Sequence, residues 1–138
     1  MRKGLIVSVI MAASLVMSIV RSEDRPRRLT VYEARNLVLA ALPSKTTHLP
    51  KFGVDQYQDK NLPRFYFFEA LWEGAPNGSA VIGHYAVDSS TGDVFSAITT
   101  CDEKSTPALR KLQAKVRLRI GLSDSEYHKI KTKGPLCL

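Results

Sequence analysis

The first 22 residues constrain this chain more than any other segment. Arg2 and Lys3 precede an apolar run over residues 4–20, and the polar residues 21–24 close it. A basic start, an apolar centre and a small residue at the cleavage point are the layout of a secretory signal. We therefore expect residues 1–22 to be a signal peptide, cleaved after Ser22. The run also has about the minimum length of an uncleaved membrane anchor, which is the alternative.

Charge and length then characterise the chain beyond the signal. The full chain of 138 residues has 20 Lys and Arg against 13 Asp and Glu, a net charge of +7. Residues 1–22 contain three basic residues and no acidic one, so residues 23–138 keep 17 against 13, a net charge of +4. This length fits one compact domain. We expect residues 23–138 to form a single secreted or periplasmic domain.

The chain contains two cysteines, Cys101 and Cys137, and both lie in the exported part. In an oxidising compartment an even pair most simply forms one disulfide. A metal site would need more Cys or His ligands nearby, and a nucleophilic cysteine would need a partner base. The sequence therefore predicts a Cys101–Cys137 bridge that ties the C-terminus to the domain.

Helix and strand signals alternate along the first part of the domain. Thr30 and Glu33 have the spacing of a capping box and predict a helix over residues 31–42, ended by Pro43. Strands are predicted over residues 64–72, 79–87 and 94–99, with a weaker edge strand over 51–57. Glycine-containing turns separate the three stronger strands, which favours antiparallel pairing.

Helices dominate the last part. Thr106 and Pro107 open a predicted helix over residues 107–120, which Gly121 ends. A second capping box at residues 123–126 opens a short helix that reaches about Lys131. The predicted fold is α+β: an N-terminal helix packed on a three- to four-stranded antiparallel sheet, followed by C-terminal helices.

One hairpin carries a family resemblance. Its motif consists of Tyr85, Val87, Asp88, Thr91, Gly92 and Val94. This segment resembles the Tyr-x-Val-Asp-x-x-Thr-Gly-x-Val hairpin of PepSY-like domains. The similarity extends over residues 30–99 and includes the opening helix. It implies a small extracytoplasmic module, often linked to inhibition or regulation of secreted proteases, without catalytic residues. Cystatin-like and nuclear-transport-factor-like domains are structural alternatives.

Catalytic and metal-binding patterns are weak. His48, His84 and His128 are far apart in sequence, and none forms the spacing of a zinc site. We expect no metal and no cofactor. Glu69 and Glu73, with His84, are the residues a small secreted hydrolase could use, but ordinary polar positions explain them better. We expect a protein that is not an enzyme.

The leading hypothesis is an exported domain that binds a protein, as an inhibitor or an immunity-type protein. Its partner would be an exported enzyme or toxin, not nucleic acid, and it would meet the membrane only through an uncleaved signal segment. We expect an exposed aromatic sheet face to join nearby basic side chains, and the residues chosen for this role are Tyr66, Phe68, Trp72, Arg117 and Arg119. A binder of envelope polymers or membrane surfaces, acting through the basic helix at 107–120, is the other alternative.

Overall fold

The computed structural model describes residues 27–97 and 100–131. The predicted signal peptide lies outside the described residues. In chain order, the helices and strands are α1 (Val31–Ala41), a short 3₁₀ helix (Ser44–His48), β1 (Gly53–Tyr57), β2 (Phe65–Leu71), β3 (Val81–Asp88), β4 (Val94–Ser96), α2 (Pro107–Ile120) and α3 (Asp124–Lys131). The α+β prediction is confirmed, and the 3₁₀ helix was not predicted.

The four strands form one antiparallel sheet in the order β1-β2-β3-β4, so each strand pairs with its neighbour in sequence. β2 and β3 lie in the middle of this meander, and Phe67 of β2 faces Ala86 of β3. β4 is shorter than predicted. It ends at Ser96, whose hydroxyl accepts a hydrogen bond from the Asp102 N–H at 3.1 Å as the chain turns back.

Side-chain caps fix where the helices begin. The Thr30 hydroxyl accepts from the Glu33 N–H at 3.2 Å, and a Glu33 carboxylate oxygen accepts from the Thr30 N–H at 2.8 Å. The Thr106 hydroxyl accepts from the Leu109 N–H at 3.0 Å in the same way. Each bond satisfies a backbone N–H that has no partner inside its helix. The helix starts therefore depend on local sequence.

The main core lies between the sheet and the helices α1 and α2. Alternate β2 residues point to this side, and Phe68 and Ala70 are both fully buried there. Leu37 of α1 and Leu109 of α2 close the core from the opposite side. A smaller cluster occupies the other face of the sheet and consists of Leu62, Phe65, Phe67, Ala86, Phe95 and Ala97. The consecutive aromatics of β2 thus supply both clusters.

One prediction concerns the start of α1. Burial raises the pKa of Glu33, but hydrogen bonds from the Thr30 N–H and hydroxyl and from Arg119 outweigh it, so the pKa lies below its ordinary 4.5. A lowered acid pKa stabilises the folded chain above the ordinary pKa, and this stability is lost as the pH falls through the lowered value. We expect Glu33→Gln to cost about 1–2 kcal/mol at neutral pH.

This cost should shrink as the pH falls below 4.5, because protonation then removes the same charge from the wild-type chain. Urea unfolding of both chains over a pH series measures it. A cost that stayed constant down to the acid limit would contradict the pKa shift.

Candidate functional site

The turn between β3 and β4, residues 88–93, is polar yet buried. Asp88, Ser89, Thr91 and Asp93 all lie beneath the surface. Buried polar groups cost free energy unless they are hydrogen-bonded, and part of the hydrogen bonding lies within the turn. Asp88 accepts from the N–H of Ser90 at 2.9 Å, and the Thr91 hydroxyl donates to Asp93 at 3.1 Å. We call these six residues the buried turn.

Gly92 lets the buried turn fit beneath the helices. Its φ of 75° is a left-handed conformation that side chains rarely adopt, and a Cβ at this position would lie 3.2 Å from Leu37 of α1 and 3.3 Å from Val116 of α2. The glycine of the predicted hairpin motif therefore has two roles, in backbone conformation and in close packing.

Side chains from elsewhere in the chain hold the buried turn. Arg64 pairs with Asp88, and Gln113 of α2 donates to the Gly92 carbonyl at 3.0 Å. Arg117 of α2 donates to the Thr91 carbonyl at 2.8 Å and to the Asp93 carboxylate at 2.6 Å. The inward side of α2 is thus fastened to the turn by polar contacts as well as by apolar packing.

The surrounding fold changes the pKa of Asp93. Burial raises its pKa above the ordinary 3.8, although the nearby Arg117 guanidinium opposes the shift. Tyr127 of α3 donates to the same carboxylate at 3.2 Å, and the Arg117 guanidinium lies 4.0 Å from the centre of the Tyr127 ring. A cleft of about 90 Å³ adjoins Asp93 and Arg64. Arg117 neutralises the charge of Asp93, so this ion pair serves to stabilise the fold.

The predicted aromatic binding residues do not form an exposed face. Phe68 has no exposed area, so its expected exposure is wrong: its side of β2 is the one that α1 and α2 cover. Tyr66 is half-buried on the same side and donates its hydroxyl to the Leu29 carbonyl at 2.9 Å. Trp72, just beyond β2, donates its indole N–H to the Ser79 carbonyl at 3.1 Å. Partner binding by Tyr66 and Trp72 stays a prediction.

The two predicted basic residues are both held inside the fold. Arg117 binds the buried turn, and Arg119 donates to Glu33 of α1 at 2.6 Å and to the Arg28 carbonyl at 3.1 Å. Their side chains are about a quarter to a third exposed. A contribution to partner binding stays a prediction, but both arginines already have structural partners.

Only two of the three residues named for the hydrolase alternative are paired with each other. Glu69 of β2 lies beside His84 of β3, with 3.5 Å between the carboxylate oxygen and the ring nitrogen. Glu73 instead pairs with Lys51 at 2.8 Å. Among the described residues, no group of three His, Cys, Asp or Glu side chains could hold a metal ion.

The predicted disulfide falls partly outside the described residues. Cys101 is half-buried, has no disulfide partner among the described residues, and lines the cleft beside Asp93 together with Ile130 and Lys131 of α3. Cys137 lies outside the described residues, so the bridge stays a prediction. The end of α3 is nevertheless close to Cys101 in the fold, since Lys131 binds Glu103 at 2.7 Å.

Sequence reasoning missed the anchoring role of Asp93 and Gln113. For Asp93 the only signal was the polar composition of a predicted turn, which is equally typical of exposed turns. Gln113 lies among apolar positions on the buried side of α2, and this placement was the one available hint of a buried partner.

Comparison with known proteins gives one informative match. No protein-family model matches the chain, and no curated protein matches it. A solved structure described as a type VI secretion system effector-immunity complex from Pseudomonas protegens contains a similar chain, with 27% identity and a TM-score of 0.62. The match covers 80% of this chain and 91% of that chain. Among the described residues, no helix is long and apolar enough to cross a membrane.

Proposed function

We propose that this protein is an immunity-type protein that binds an effector of a type VI secretion system in the periplasm and blocks its action. One observation carries the proposal: a chain of an effector-immunity complex shares this fold over 91% of its own length, at 27% identity. The similarity therefore concerns the whole domain and not one motif.

The predicted export signal supports the periplasm as the place of action, because residues 1–22 have the layout of a secretory signal. The PepSY-like resemblance of the β3–β4 hairpin supports the same class of function, since it implies an extracytoplasmic inhibitory module. Structural pairing, not catalysis, is the simpler role for the charged groups described above. Arg64 and Arg117 neutralise the two carboxylates of the buried turn. Glu73 pairs with Lys51, whereas Glu69 lies beside His84.

Competition between neighbouring cells tests the proposal. The strain that encodes this chain is compared with a derivative lacking the gene, by mixing each with the parent on a solid surface. We expect the derivative to be killed by the parent. Full-length protein supplied from a plasmid should restore its survival, and a version lacking residues 1–22 should not.

A parent whose type VI secretion system has been inactivated is the control, and the derivative should survive beside it. Equal survival of the derivative and the parent strain in the first mixture would overturn the proposed function. Rescue by the version without residues 1–22 would place the protective step in the cytoplasm and overturn the periplasmic part.

A further inference from the structure

The helices α1 and α2 form one antiparallel layer over the sheet. The Thr106 hydroxyl at the start of α2 donates to the Ala40 carbonyl near the end of α1, at 2.7 Å. Arg119 near the end of α2 donates to Glu33 in the first turn of α1. The first turn of α1 and the last turn of α2 therefore lie side by side.

Two large apolar side chains are exposed at this shared end. Leu118 is 84% exposed and Tyr32 is 72% exposed, the largest values among the exposed large apolar residues of the described chain. Each stands two positions from a buried residue of its own helix, Val116 and Ala34, and two positions turn a helical side chain by about 200°. Both therefore point away from the sheet.

Cations continue this outer surface along α2. Lys111 and Lys115 precede Leu118 at the spacing of one helix face, and both are exposed. α2 contains no acidic residue. Arg117 and Arg119 are paired with Asp93 and Glu33, whereas neither lysine has an ion pair with any described residue. We name Tyr32, Lys111, Lys115 and Leu118 the outer helix patch.

We propose that the outer helix patch is the surface that docks the effector, and that the effector presents a carboxylate-rich surface with an apolar recess to it. This rests on the proposed function. Lysines without acidic partners complement carboxylates, and an exposed tyrosine and leucine beside them supply the apolar contact that interface centres need.

A protein partner fits the outer helix patch better than a membrane. A helix that lies in a bilayer surface inserts a whole apolar face. The apolar residues Leu109, Val116 and Ile120 of α2 are already buried in the core, and Leu118 is the one large apolar residue of α2 that is exposed. A cationic surface with two apolar side chains is suited to a folded acidic partner.

Variants of the outer helix patch test this in the competition assay. The gene-deficient strain carries full-length protein with Lys111→Glu and Lys115→Glu, or with Tyr32→Ala and Leu118→Ala. We expect both double variants to lose protection against the parent. A matched control reverses two other exposed lysines, Lys45→Glu and Lys60→Glu, and should protect like the wild-type chain.

The outcomes separate the two proposals. If the wild-type chain fails to protect, the proposed function fails and the docking inference fails with it. If the wild-type chain and both patch variants protect equally, the function stands and the docking inference is overturned. Circular dichroism and thermal unfolding of the purified mature variants should match the wild-type chain, because all four side chains of the outer helix patch are exposed.

Two further measurements address other occupants of the patch. Mature protein is mixed with phosphatidylglycerol vesicles at low and high salt, and we expect no cosedimentation at either. Size-exclusion chromatography of mature protein should give a monomer. Vesicle binding lost in the Lys111→Glu, Lys115→Glu variant, or a dimer dissociated by it, would assign the patch to a membrane or to a second copy and overturn the inference.

Discussion

Replacing Phe68 with alanine is expected to lower the free energy of unfolding by about 3–5 kcal/mol, since the ring is fully buried between the sheet and the two helices. A loss of this size is a large part of the total stability of a domain, about 5–15 kcal/mol. Urea or thermal unfolding of the mature chain measures it. Any loss of protection by this variant would then result from the population of unfolded chains.

Tyr32→Ala is the matched control, because it truncates an aromatic side chain that is mostly exposed on the outside of α1. We expect it to change stability by less than about 0.5 kcal/mol, as is usual for surface substitutions. Equal losses in the two variants would show that Phe68 is not in the main core.

Arg117→Ala should destabilise the domain by about 3 kcal/mol, at the lower end of the range for breaking a buried ion pair because the Arg117 side chain is partly exposed. The substitution leaves the carboxylate of Asp93 buried without its cation and removes the donor to the Thr91 carbonyl. Lys115→Ala on the same helix, which breaks no described ion pair, should have almost no effect on stability.

The destabilisation caused by Arg117→Ala should also depend on pH. Burial raises the pKa of Asp93, so folding penalises its charged form above the ordinary pKa of 3.8, and the penalty falls as the carboxylate takes up a proton. The loss is therefore largest at neutral pH and smaller in acid. Adding Asp93→Asn to Arg117→Ala should recover part of the stability, and a further loss would contradict the buried pair.

The parts of the fold that depend on neighbours in sequence were predictable. Thr30 with Glu33, Thr106 with Leu109, and Ser123 with Glu126 fix helix starts through bonds that span a few residues. The glycine-containing turns likewise separate antiparallel strands in order. These signals led to the α+β fold without knowledge of any long-range contact.

The parts that depend on distant contacts were not predictable. Alternation along β2 shows that Phe67 and Phe68 point to opposite faces, but it does not show which face the helices cover. Arg119 and Glu33 are 86 positions apart, and Arg117 and Asp93 are 24 positions apart. A single sequence shows basic and acidic residues, and only the packed helix layer shows which of them neutralise each other.

The two sides of α2 differ in how well they can tolerate substitutions during evolution. Gln113, Val116 and Arg117 hold the buried turn and the core, so substitutions there destabilise the molecule whatever it binds. Lys111, Lys115 and Leu118 make no described contact that the fold depends on. Substitutions on the outer side of α2 can therefore change binding specificity without changing the fold. Such substitutions would let the chain adapt to a partner whose surface changes.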